Sequence, residues 1–79
     1  MNAKEMFKEL GYEYEFICSY GVVTERYTKM TNDGMIWIFF NRVTDDIEVE
    51  FPLNIVQSEE ITNAIIERQK ELGWLDETI

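Results

Sequence analysis

The chain has 79 residues, 46% of them hydrophobic and 14% aromatic, and a formal net charge of -9 from 16 acidic and 7 basic side chains. That much aromatic and β-branched material excludes a disordered chain, and the length fits one small domain spanning residues 1–79. The acidic balance excludes the basic track that direct nucleic-acid binding needs and opposes an anionic membrane surface. With no histidine, and Cys18 as the one cysteine, a zinc set and an internal disulfide are excluded as well.

Asn2 to Leu10 is expected to form a short helix, with Asn2 capping its first amides and Met6, Phe7 and Leu10 on one arc. Gly11 ends it in the left-handed conformation that glycine accepts readily. From Tyr12 the period falls to two: Tyr12, Tyr14, Phe16, Cys18 and Tyr20 share one side of a strand, opposite Glu13, Glu15, Ile17 and Ser19. After Gly21, Val22 to Met30 alternates again, with Val22, Thr24, Arg26, Thr28 and Met30 against Val23, Glu25, Tyr27 and Lys29. "TNDG" at Thr31 to Gly34 is a hairpin signal, since Asn-Asp or Asp-Gly suits turn positions needing positive φ.

Met35 to Phe40, "MIWIFF", is apolar on both faces and is expected in the interior of the sheet. Ile47, Val49 and Phe51 then alternate with Glu48 and Glu50 in a fourth strand, which Pro52 stops. Ser58 caps the last helix, Glu59 and Glu60 suit its positive first turn, and Ile61, Ala64, Ile65, Arg68 and Leu72 trace a buried stripe broadened by Ile66. Arg68 is expected to bury its stem and extend its charged head outward. The fold class is therefore α+β: helix, four-stranded antiparallel meander, helix, with both helices on one face of the sheet.

The pentapeptide "KELGY" (Lys8 to Tyr12) returns as "KELGW" (Lys70 to Trp74). Each supplies a base in a last helical turn, a buried leucine, a glycine and an aromatic able to fold back, which is one helix-ending device used twice and not a duplicated unit. Together "AKEMFKELGYEYE" and "ITNAIIERQKELGW" resemble a group of small uncharacterised proteins encoded by phages and prophages of Gram-positive bacteria. The resemblance covers Ala3 to Glu15 and Ile61 to Trp74. It transfers no catalytic or binding residue; it implies a mobile-element origin and work in a host cytoplasm. The opening "MNAKEMFKELGY", without a long apolar run, agrees with a cytoplasmic setting and with no membrane partner.

Catalysis has little raw material. Glu13 with Glu15, or Glu48 with Glu50, can pair as acid and base, but a wetted strand face explains them more simply. Asp45, Asp46 and Glu48 offer oxygens to calcium or magnesium, yet match no recurrent metal spacing and suit a turn. Cys18 lacks a base or positive field and is expected as a small buried hydrophobe; Tyr12, Tyr14 and Tyr20 are expected as core side chains with exposed hydroxyls. No catalytic residue, cofactor or metal is implied, and a metal-assisted carboxylate hydrolase ranks last.

Two interaction surfaces remain. Asp45, Asp46, Glu48 and Glu50, then Glu59 and Glu60, follow one another without an intervening Lys or Arg and can meet a basic protein groove. If Ile36, Ile38 and Phe40 face the helices, Met35, Trp37 and Phe39 face away, joined by Tyr27 across the hairpin; with the opposite polarity the outer patch is Ile36, Ile38 and Phe40. The leading expectation is a non-enzymatic module that binds a basic protein surface. The alternative is a homodimeric structural or assembly accessory whose apolar sheet faces meet.

Overall fold

The computed structural model of the protein describes residues 1–75, so the expected domain end at Ile79 lies outside the described residues. In chain order they form α1 (Ala3–Glu9), β1 (Glu13–Ser19), β2 (Val22–Thr31), β3 (Gly34–Asn41), β4 (Asp46–Glu50) and α2 (Glu59–Glu71). The strands make one antiparallel sheet in the order β1-β2-β3-β4, the expected α+β meander between two helices.

Local chemistry accounts for each helix end. The Asn2 side chain accepts from the Glu5 amide at 2.8 Å while Glu5 reaches back to the Asn2 amide at 3.4 Å, a reciprocal cap. Ser58 Oγ accepts from the Ile61 amide at 3.2 Å at the start of α2. The repeated "KELG" ends both helices identically: Gly11 and Gly73 take φ of 92° and 75°. Their amides donate to Lys8 and Lys70 carbonyls, and the Tyr12 and Trp74 amides donate to Phe7 and Gln69 carbonyls. Each aromatic then folds back: Tyr12 meets Phe7 edge-on at 5.5 Å and Trp74 lies 6.2 Å from Phe40.

The turns set the register. Tyr20 (φ 51°) and Gly21 (φ 77°) form the two-residue β1–β2 connection between the paired Ser19 and Val22. In the next hairpin, Asn32 and Asp33 are the two loop residues between the paired Thr31 and Gly34. The positive φ expected in this turn falls on Gly34 alone, while Thr31 Oγ1 donates to the Gly34 carbonyl at 2.6 Å and accepts from the Asp33 amide at 3.2 Å. In the β3–β4 turn, Asn41 Oδ1 accepts from the Val43 and Thr44 amides and Asp45 takes φ of 58°.

This register sorts the sheet into two faces. Tyr14, Tyr27, Ile38 and Val49 line up across the four strands, as do Phe16, Glu25, Phe40 and Ile47. Both helices pack against this set: Phe7 of α1 stacks on Tyr27 with centroids 4.0 Å apart, and Arg68 of α2 reaches Glu25. Phe7, Tyr12, Tyr27, Ile36, Ile38, Phe40, Ile61, Ala64 and Ile65 make the buried cluster, and the Tyr12 hydroxyl, expected in solvent, is buried as well. The helix layer does not reach the β1–β2 hairpin end. Phe16 is 53% exposed and Tyr20 103%, and Cys18 is an exposed free thiol, so Cys18 and Tyr20 are not the core side chains expected from their alternation. Ile66 likewise sits outside the buried stripe of α2. No helix among the described residues is long and apolar enough to cross a membrane.

Candidate functional site

The second face carries Glu13, Glu15 and Ile17 from β1, Thr24, Arg26, Thr28 and Met30 from β2, Met35, Trp37, Phe39 and Asn41 from β3, and Asp46, Glu48 and Glu50 from β4. No described element covers it. At its centre Trp37 and Phe39, two apart on β3, stack with centroids 6.0 Å apart and planes only 2° from parallel. The Arg26 guanidinium lies 5.1 Å from the Trp37 ring centre and bonds Glu15 at 2.6 Å. Its Nε is buried without a hydrogen-bond partner.

On the other flank β4 forms the sheet edge. Its Glu48 stands opposite Phe39 and its Glu50 opposite Trp37, while Ile47 and Val49 turn to the helix side. Asp46, Glu48 and Glu50 are exposed and take part in no salt bridge among the described residues. A depression of about 290 Å³ lies beside them, lined by Ile17, Thr24, Phe39, Asn41, Asp46 and Glu48. Apolar walls next to two unpaired carboxylates suit an aliphatic stem bearing a cationic head.

The structure brings together Met35, Trp37, Phe39, Asp46, Glu48 and Glu50, and of the two polarities it adopts the one with Ile36, Ile38 and Phe40 beneath the helices. Tyr27 is a correction. Its cross-strand partner is Ile38 and not Trp37, so it points into the core and is 2% exposed. Asp45 is also apart: it serves the β3–β4 turn, where its left-handed backbone sets the chain reversal before Asp46 opens the strand. Glu59 and Glu60 begin α2, in the layer on the opposite side of the sheet from the carboxylates of β4.

One constellation escaped the sequence. Glu25, 1% exposed, accepts from Arg68 Nε at 2.7 Å and from a second Arg68 nitrogen, with Arg42 Nη1 at 3.5 Å. Arg68 also donates to Glu71 at 3.0 Å, and Glu71 accepts from the Ala3 amide at 2.9 Å. Instead of extending into solvent, the Arg68 head thus ties α2 to β2 and, through Glu71, to α1. The hydrogen bonds to Glu25 hold Arg68 firmly in its charged form. Burial, and secondarily the Glu25 charge, push the Tyr27 phenol above its ordinary value. The available signal was two opposite charges in phase with apolar neighbours: Glu25 between Val23 and Tyr27, and Arg68 in phase with Ile61 and Ile65.

No group of three or more Cys, Asp or Glu side chains among the described residues is arranged to hold a metal ion. No protein-family model, curated protein or solved structure matches the chain, so the residues themselves carry the functional case.

Proposed function

We propose that the protein is a non-enzymatic interaction module that binds a basic protein surface through the uncovered face of its sheet. The observation that carries this reading is the stacked Trp37–Phe39 pair, half-buried but beneath no described element, and flanked by the unpaired carboxylates of β4. An aromatic anchor supplies desolvation energy; the surrounding charge supplies partner choice and faster encounter. The one cation on this face, among the described residues, is Arg26, already engaged by Glu15, so the net field is negative. A mobile-element origin would make the partner a host protein with a basic groove, the acidic row taking the place of nucleic-acid phosphates.

The homodimer reading is weaker. Two such faces brought together would oppose Asp46, Glu48 and Glu50 to the carboxylates of a second copy, and like charges at short range are repulsive.

A Trp74→Phe variant leaves Trp37 as the single tryptophan, so its emission reports on the face directly. Titration with a Lys- and Arg-rich protein should shift that emission, with affinity falling as salt rises and on Glu48→Lys. Emission that is unchanged, or binding indifferent to both salt and Glu48→Lys, overturns the reading.

A further inference from the structure

The free edge of the sheet narrows the partner further. β4 pairs with β3 on one side only, and no backbone group of residues 46–50 has another backbone partner among the described residues. An unguarded edge is a template for any extended chain, so what the edge accepts depends on its side chains. On β4 these alternate: Asp46, Glu48 and Glu50 are exposed on the open face, and Ile47 and Val49 are half-buried on the helix side.

A second copy is a poor occupant. Pairing β4 with β4 would set carboxylates opposite carboxylates, and pairing it with β1 would set them against Glu13 and Glu15 when the open faces align. The opposite edge is also a poor site for a basic strand. Lys4 lies over Tyr14 at 4.4 Å and Lys29 over Tyr12 at 5.8 Å, placing positive charge beside β1, and Glu15 is already paired.

We infer that the basic partner engages as an added β-strand along β4, through a segment in which Lys or Arg alternates with aliphatic residues. Its cationic side chains meet Asp46, Glu48 and Glu50, the nearest of them with its stem toward Phe39, and its aliphatic side chains extend the row of Ile47 and Val49. Backbone pairing supplies affinity and the period-two charge pattern supplies selection. This rests on the proposed binding of a basic surface and adds its geometry.

The test uses short synthetic peptides with the full chain. One alternates lysine and valine, one has the same composition with the lysines in a block, and two are alternating peptides N-methylated on one or the other parity of backbone amide. The alternating peptide should bind, and one methylation parity should weaken it roughly tenfold or more while the other is tolerated, because only every second amide faces the edge. On binding, the amide hydrogens of residues 46–50 should exchange more slowly. If blocked and methylated peptides bind equally and Trp37→Thr still abolishes binding, strand addition is wrong and the open-face reading survives. Protection gained on β1 in place of β4 also overturns it. If no basic peptide binds at all, both readings fall.

Discussion

Two carboxylates on the strands that flank β3, Glu25 on β2 and Glu48 on β4, show how differently the two faces of this sheet treat the same chemistry. Glu25 is beneath the helices, 1% exposed, and is held by Arg68 with Arg42 nearby; Glu48 is exposed, beside an aromatic pair, and has no cation among the described residues. A charge taken out of water must be paired, whereas a charge left in water need not be. The covered face therefore uses its ions to fix the positions of three elements. The open face leaves its ions available to something outside the chain.

The sharpest way to break this comparison is to truncate one aromatic on each face. Phe7, fully buried and stacked on Tyr27, should cost about 3–5 kcal/mol on Phe7→Ala, a large share of a margin that is of the order of 5–15 kcal/mol. Trp37→Thr should cost less, about 1–2 kcal/mol, because the ring is half-buried and loses its stacking on Phe39 but sits beneath no helix. Urea unfolding of the two variants checks the contrast, and equal losses would mean that Trp37 is core.

The next effect is ionic. Arg68→Met leaves Glu25 buried with only Arg42, and should cost about 3 kcal/mol, while replacing Glu25 and Arg68 together by leucine should recover much of the loss. Glu48→Lys, by contrast, should leave unfolding within about 0.5 kcal/mol of the parent and weaken a basic partner roughly tenfold.

A smaller effect should appear in alkali. Burial holds the phenols of Tyr12, Tyr14 and Tyr27 above their ordinary value of 10.0. Above that pH the unfolded chain releases protons that the folded chain retains, so their contribution is intact below pH 10 and declines as pH climbs through the raised values. Chemical unfolding from pH 8 to pH 11 should show the decline, and Tyr27→Phe should flatten it.

What could be read in the sequence was what is local or strictly periodic. The two "KELG" endings announce their caps because Gly11 and Gly73, each with a basic residue before and an aromatic after, need only neighbouring atoms. The alternation of "MIWIFF" likewise separated Ile36, Ile38 and Phe40 from Met35, Trp37 and Phe39. Tyr27 was misplaced because its neighbour depends on register: the two-residue turn at Asn32 and Asp33 sets it opposite Ile38, and a slip of one would have put it opposite Trp37. Cys18 follows the alternation of β1 but lies where the seven-residue α1 and its partner helix give no cover, and Tyr20 leaves the alternation altogether because it is a left-handed residue of the turn. The Glu25–Arg68 pair joins residues 43 apart, which no local pattern encodes.

The most direct measurement of the open face is a two-dimensional ¹H–¹⁵N NMR titration of the protein with a lysine-rich peptide at low salt. The largest shifts should fall on the Trp37 indole, on Phe39 and on residues 46–50, and should vanish at high salt. Shifts gathered instead around Lys4, Lys8 and Lys29, or a spectrum that does not move, would contradict the assignment of this face to binding.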